Sequence, residues 1–188
     1  MILNRVASYA LLLCGLLLCF NSFYLIGKAQ LAQILIARSW QASLNSQIAV
    51  RPWSWADTYA KSKLSFTRLN TTQYVMADAS GESLAFGPGF VNDDLLEQNG
   101  LGTVIAGHRD SHFAVLRDLR VGDELTIENM ARHNERFRVS SLHVIDSEKE
   151  TLPALSSRHM LLLTCFPFDD LNPNGPLRYL VVAEKIDG

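Results

Sequence analysis

The stretch Met160-Leu-Leu-Leu-Thr-Cys165 has the composition of a buried β-strand, and Leu177-Arg-Tyr-Leu-Val-Val182 forms a second such run. The irregular segment Phe166–Pro176 separates them and contains the turn signals Asn172-Pro-Asn-Gly-Pro176. A cysteine thus ends a strand and begins a long loop. Catalytic groups are often found at such positions, because a rigid strand holds a residue that the loop leaves accessible.

Further short runs of apolar and β-branched residues predict a mainly β domain. These runs are Thr72–Ala77, Thr103–Ala106, Glu124–Glu128, Phe137–Val139 and Leu142–Ile145, together with Met160–Thr164 and Leu177–Ala183. Helical patterns are limited to Asn92–Gln98 and Ser111–Leu119. Because strands and helices do not alternate regularly, about eight short strands indicate a closed or nearly closed β-barrel.

Length and charge restrict the classes of function. The chain has 188 residues with 17 basic and 19 acidic side chains, which suits one domain of about 100–150 residues and an appendage. Residues 1–50 contain three basic residues and no acid, so residues 51–188 carry 14 basic and 19 acidic side chains. An acidic domain without a basic stripe argues against a nucleic-acid partner, because phosphate neutralisation supplies most of that affinity.

The N-terminus predicts a membrane anchor. Val6–Gly27 carries no charge, and as a helix it would span about 33 Å, enough for a hydrocarbon core of about 30 Å. A cleaved signal peptide is one alternative, with Gly27-Lys28-Ala29 as its cleavage site, but the apolar run exceeds the usual ~7–15 residues. A buried core helix is the other. Basic residues on both sides, Arg5 and Lys28, leave the orientation open.

A helical stalk is expected after the span. In Gln30–Gln47, Leu31 and Ile34 share an apolar face, so this helix is predicted to lie along the membrane surface or to pack on the domain. Pro52 disfavours helix at the residue before it, which places the domain boundary near residue 48. The predicted organisation is an anchor over residues 1–28, a stalk over 29–47 and a catalytic domain over 48–188.

Cys165 is the single thiol of the predicted domain, because Cys14 and Cys19 lie in the apolar segment. A small buried hydrophobe is the alternative role for a free cysteine. As a nucleophile, the thiol needs a basic partner and a group that stabilises the oxyanion. Arg178 lies inside an apolar strand, where an arginine is costly to bury without a partner. It either faces solvent or directs its charge at a substrate carbonyl or oxyanion.

His108 is the preferred candidate for the base, because a strand ends at Gly107 immediately before it. Structural or solvated roles suit the other candidates better, namely His133, His143 and His159. His112 follows His108 by four residues, but no third ligand accompanies the pair, so the pattern does not favour zinc.

These segments together resemble the sortase family of cysteine transpeptidases. Ile105-Ala-Gly-His-Arg109, followed by Phe113-x-x-Leu-x-x-Leu119 and Gly122-Asp123, resembles the histidine segment of sortases. Leu162-Leu-Thr-Cys165, with an arginine 13 residues later, resembles their cysteine segment. Leu161 stands where the usual Thr-Leu-x-Thr-Cys form has its first threonine. The resemblance covers residues 50–188.

Two further segments resemble the proteobacterial, Gram-negative class of sortases. They are Pro52–Thr58 and Gly81–Gly89. This resemblance implies an inner-membrane enzyme with a single span, contact with inner-membrane lipid and a catalytic domain in the periplasm. It also implies a dedicated protein substrate.

The family resemblance implies an eight-stranded sortase-type β-barrel and a two-step transpeptidation that needs no cofactor or metal. Cys165 would attack the Thr–Gly carbonyl of an LPxTG-like signal at the C-terminus of a protein substrate, forming a thioacyl enzyme. His108 would act as general acid and then as general base toward an amine acceptor. Arg178 would hold the substrate and stabilise the oxyanion. The expected substrate-binding residues, at the start of the loop Phe166–Leu177 and beside it, are Gly107, Thr164 and Phe166.

Several alternatives remain open from the residues. Asp169 and Asp170 either bind calcium or a basic substrate group, or belong to a solvated loop. Asp110 either steadies the region of His108 or caps the following short helix. A hydrolytic cysteine peptidase would use the same thiol and imidazole, whereas a membrane-tethered binding protein needs no reactive thiol. An L,D-transpeptidase is disfavoured, because its compact His-Gly…Gly-Cys-x-x-Arg pattern is missing.

Overall fold

A single long helix, α1 (Ile2–Ser46), begins the chain in the computed structural model, which describes residues 2–91, 102–152, 156–170, 172 and 175–186. Large apolar side chains between Leu11 and Ile26 are exposed. The part Leu11–Ser46 contains an 18-residue window with a mean hydropathy of 1.7 and no buried residue. By length and composition this helix is a candidate to cross a membrane.

The second half of α1 packs on the β domain. Ile36, Trp40 and Leu44 recur at four-residue intervals and are buried, because residues at this spacing lie on one face of a helix. The Gln33 side chain donates to the Phe86 carbonyl at 2.8 Å, and the Gln47 side chain donates to the Met130 carbonyl at 2.8 Å. Of the two placements expected for the stalk, the structure has the packed one, but the packed face is not the predicted one, because Leu31 and Ile34 are exposed. No break separates the stalk from the apolar half.

Eight strands close into a barrel in the order β1-β2-β3-β4-β7-β8-β6-β5. They are β1 (Ala60–Phe66), β2 (Thr71–Met76), β3 (Gly89–Phe90), β4 (Thr103–Ala106), β5 (Glu124–Asn129), β6 (Asn134–Asp146), β7 (His159–Cys165) and β8 (Leu177–Lys185). The short helix α2 (Gly81–Leu84) precedes β3, and a 3₁₀ helix, Ala114–Asp118, follows β4. Most neighbours are antiparallel, but the pairs β2–β3 and β4–β7 are parallel. The predicted mainly β barrel is confirmed.

The strand boundaries differ from the sequence prediction in three places. β1 was not predicted, because two of its four buried positions are the small residues Ala60 and Ser62 and its apolar alternation is therefore weak. β3 has only two residues. The two runs predicted around Phe137 and Leu142 are one strand, β6, with a register shift between Val139 and Ser141. The helix predicted at 92–98 lies outside the described residues.

Alternation along the strands separates an inner from an outer face. Met160 and Leu162 of β7 belong to the cluster that fills the barrel, whereas Leu161 and Leu163 belong to a second cluster on the outside. Successive side chains of a strand point to opposite faces, so Thr164 faces inward and Cys165 outward. The outer cluster, which ends beside Cys165, consists of Val104, Leu161, Leu180 and Val182 with Val91, Ile145 and Leu163 packed against them.

Candidate active site

Three neighbouring strands bring His108, Cys165 and Arg178 to one end of the barrel. Cys165 is the register partner of Arg178 across the antiparallel pair β7–β8. On the other side, Ala106 pairs with Leu163 in the parallel pair β4–β7, and two further residues along each chain lead to His108 and Cys165. The thiol therefore lies between the imidazole-bearing and the guanidinium-bearing chain, with backbones about 5 Å apart on each side.

The same three residues lie on the outer face. On β4, Ile105 faces the inner cluster and Val104 the outer one. The alternation continues past the strand, because Gly107 and Arg109 are buried and His108 between them is exposed, so His108 lies outside. On β8, Val181 is inside and Leu180 outside, which places Arg178 outside. The imidazole is exposed, while Cys165 and Arg178 are partly buried. A thiol, a base and a permanent cation thus share one accessible surface.

A buried hydrogen bond joins the two chains that carry His108 and Cys165. The Thr164 hydroxyl donates to the Gly107 carbonyl at 2.7 Å, and Thr164 is only 2% exposed. The Gly107 N–H donates to the Leu163 carbonyl at 3.1 Å, which continues the pairing beyond β4. These bonds hold the backbones of the chains that carry His108 and Cys165 against each other. Direct substrate contact by Gly107 and Thr164 stays a prediction.

Gly107 also meets a steric requirement. A Cβ atom at this position would lie 2.8 Å from the ring of Phe113, closer than a side chain tolerates. The Phe113 N–H donates to the His108 carbonyl at 3.0 Å, so the ring lies over the glycine as the chain turns back. A glycine before His108 therefore allows the histidine segment to fold tightly onto the barrel.

Arg178 is held by the loop that precedes it. Its Nη1 donates to the carbonyls of Gly175 and Leu177 at 2.6 and 2.9 Å. Among the described residues, no protein group accepts a bond from its other guanidinium nitrogens. The side chain is anchored on one edge, and its remaining N–H groups stay available to an oxygen beside Cys165.

His112 lies next to His108 but differs in environment. Its Nδ1 is 3.2 Å from Oε1 of Gln73, and burial above all, with a smaller contribution from His108, lowers its pKa. In the part of the chain that the structure describes, no group of three His, Cys, Asp or Glu side chains could hold a metal ion.

The loop after Cys165 packs through aromatic rings. Phe166 stacks on Tyr179 with ring centroids 6.0 Å apart, and Phe168 packs edge-on against Tyr179 at 5.2 Å. Burial raises the pKa of Tyr179, consistent with its inward position on β8. Phe166 is thus occupied by packing on one side, and its contact with substrate stays a prediction.

Acidic residues near the site take structural roles. Asp169 forms an exposed ion pair with Arg117 at 2.8 Å. The Asp170 carboxylate accepts from the Asn172 N–H at 2.9 Å, which closes a turn within the loop. Asp110 does not cap the 3₁₀ helix, because its N-cap residue is Phe113 and no side chain caps it.

The sequence analysis did not single out Arg109. Its side chain is 8% exposed, and its Nη2 donates to the carbonyls of Asp170 and Asn172, each at 2.6 Å. The alternation along β4 was the available signal, because it places the residue after His108 on the inner side. Arg109 also borders a cleft of about 640 Å³ beside the histidine segment. Other residues that line this cleft are Gln73, His112, Arg117 and Phe168.

Comparison with known proteins identifies a family. Residues 64–186 match the sortase domain family. The chain is 22% identical over 126 residues to Sortase D of Bacillus subtilis, which covers 65% of this chain and 62% of that protein. The matched region therefore spans less than two thirds of that relative.

Solved structures agree on the fold. Sortase A from Corynebacterium diphtheriae has a TM-score of 0.59 at 19% identity, covering 77% of this chain and 68% of that chain. Sortase C1 from Streptococcus suis has a TM-score of 0.56 at 22% identity, covering 68% and 73%. A Clostridium perfringens Sortase D5 transpeptidase has a TM-score of 0.57 at 18% identity, covering 69% and 80%.

Proposed function

The chain belongs to the sortase family, whose members are cysteine transpeptidases, and from this premise we propose that it cleaves an LPxTG-like sorting signal and transfers the acyl part to an amine. The observation that carries the proposal is the common outer face of His108, Cys165 and Arg178 on three adjacent strands. A nucleophile, an acid–base group and an oxyanion donor are what amide exchange through a thioester requires.

The proposed reaction has two balanced steps. The Cys165 thiolate attacks the Thr–Gly carbonyl carbon, the C–N bond breaks, and His108 gives its proton to the departing glycine amine. The incoming amine then attacks the thioester and loses a proton to His108, which releases the thiolate. In both steps the free guanidinium nitrogens of Arg178 would donate to the carbonyl oxygen as it becomes negative.

The outer face beside Cys165 offers a small apolar contact to the signal. Leu161 and Leu180 of the outer cluster are already buried, with 0% and 1% exposure, whereas Leu163 and Ile145 are only partly buried. An extended peptide that presents its scissile bond to Cys165 would cover these two partly buried side chains with the leucine and proline of the signal. Burial of such side chains contributes about 25 cal/mol for each Å² removed from water.

We also propose that the apolar half of α1 anchors the enzyme in a membrane. The predicted organisation is an anchor over 1–28, a stalk over 29–47 and a catalytic domain over 48–188. The resemblance of Pro52–Thr58 and Gly81–Gly89 to the Gram-negative class supports an inner-membrane enzyme with its barrel in the periplasm.

Intact mass spectrometry tests the proposed function. The full chain in detergent micelles is incubated with an LPxTG-type peptide, with and without an added amine. We expect a thioacyl adduct that is absent in Cys165→Ala and that passes to the amine. His108→Ala and Arg178→Ala should each lower turnover by ~10²-fold or more, on the usual magnitudes for acid–base and oxyanion groups.

The outcomes separate the alternatives. An adduct that is lost only to water would favour a hydrolytic peptidase. A folded chain that forms no adduct with LPxTG-type peptides would favour a binding role. Substantial turnover by Cys165→Ala would remove the thiol from the mechanism.

A further inference from the structure

Arg109 joins the two segments that carry the nucleophile and the base. It directly follows His108, and its guanidinium holds the carbonyls of Asp170 and Asn172 in the loop after Cys165. Both bonds are 2.6 Å long and use the same nitrogen, Nη2. This loop lies between Cys165 and Arg178 in the chain. The buried Arg109 side chain is therefore linked to all three of the proposed catalytic residues.

The arginine is buried without a carboxylate partner. Among the described residues, no Asp or Glu oxygen lies within ion-pair distance of Arg109, although its side chain is almost fully covered. A buried charge is costly unless hydrogen bonds compensate for lost water. Here the compensation comes from loop carbonyls, so the cation is stabilised only while the loop keeps its shape.

Two loop carbonyls converge on this cation. The Asp170 and Asn172 carbonyls accept from the same nitrogen of Arg109, and the Asn172 N–H donates to the Asp170 carboxylate at 2.9 Å. A second arginine, Arg117, reaches the same loop from the surface through Asp169 and the Phe168 ring. That contact is exposed, and exposed ion pairs contribute little, so Arg109 is the stronger of the two arginine contacts to the loop.

We propose that Arg109 is a positioning residue that fixes Asp170 and Asn172, in the loop after Cys165, against the histidine turn and thereby sets the affinity for the peptide substrate. The catalytic consequence rests on the proposed transpeptidase function, whereas the loop tie does not. Because the loop connects Cys165 to Arg178, its displacement would alter the groove more than the intrinsic reactivity of the thiol.

Steady-state kinetics of full-length Arg109→Met in detergent micelles test the catalytic part. We expect KM for an LPxTG-type peptide to rise at least tenfold while kcat falls less than threefold. The rate of Cys165 alkylation by iodoacetamide and its pH profile should match wild type. Arg136→Met, an exposed arginine on β6, is the matched control. Arg109→Lys keeps the positive charge, and its KM should lie between those of wild type and Arg109→Met. This variant provides the test if Arg109→Met does not fold.

Hydrogen–deuterium exchange tests the loop tie without turnover. In Arg109→Met, or in Arg109→Lys if the methionine variant is unfolded, deuterium uptake should increase in peptides covering 166–177 and stay unchanged in the barrel strands. Unchanged uptake in the loop, or a uniform increase over the whole barrel, would overturn the proposal. Increased loop uptake in an enzyme that does not acylate would leave the tie in place and refute the proposed function instead. A normal KM with increased loop uptake would overturn the role in substrate affinity.

Discussion

Replacement of Thr164 by valine removes the hydroxyl that joins the His108 and Cys165 chains without changing the size of the side chain. The hydroxyl donates to the Gly107 carbonyl at 2.7 Å in a site that is 2% exposed. A typical hydrogen bond contributes about 0.5–1.5 kcal/mol, and a buried acceptor left without a donor costs about 1–3 kcal/mol. We therefore expect a destabilisation of about 1–3 kcal/mol, or roughly 3–10 °C in Tm for a domain of this size.

Thermal unfolding of the full chain in detergent micelles measures this change. Thr126→Val on β5 is the matched control, because Thr126 lies on a strand and its side chain makes no hydrogen bond within the described part of the chain. Thr164→Ser keeps the hydroxyl and should recover most of the lost Tm. If Thr164→Val unfolds at the same temperature as Thr126→Val, the reasoning that this bond holds the two chains together is refuted.

Two further predictions concern stability. Arg68 holds the pKa of Asp123 below its usual value. The pair's contribution to stability is therefore complete above the unfolded-state pKa of about 3.9 and is lost as the pH falls through the folded-state pKa. Asp123→Asn should lower Tm at pH 7, and its difference in Tm from wild type should shrink below about pH 4; a difference that stays constant with pH would contradict this linkage. Ile36→Ala should weaken docking of α1 by about 2–4 kcal/mol because Ile36 is fully buried against the barrel. Ile34→Ala, on the exposed face of the same helix, should change the stability of docking little. The rate of proteolysis near residue 48 measures docking, and equal rates for the two variants would count against the packed stalk.

The strands that carry the site could be predicted because their signals are local. β4, β7 and β8 are short runs of mainly apolar residues, and their alternation places each side chain on a definite face. The order β4-β7-β8 is not local. It brings together residues 57 positions apart, such as Gly107 and Thr164, and the family resemblance implied the eight-stranded barrel without giving its strand order.

Arg109 illustrates what composition and spacing leave out. An arginine beside a candidate catalytic histidine is expected at the surface, because charged side chains are rarely buried without a partner. Its partners are two main-chain carbonyls in a loop 60 residues away, and carbonyls have no residue signature. β1 was missed for a related reason, since Ala60 and Ser62 become inward positions only when the barrel closes around them.

The continuity of α1 has a consequence for where the barrel lies. Gln33 lies five residues after Lys28, the charge that ends the apolar run, and its side chain donates to the Phe86 carbonyl. At about 1.5 Å per residue this is about 7.5 Å along the helix, comparable to the headgroup layer of about 5–8 Å on each side of the hydrocarbon core. If the apolar half spans a membrane as proposed, the barrel end near Phe86 rests against the headgroups. The active site then keeps a fixed height and direction, because no flexible linker separates it from the bilayer.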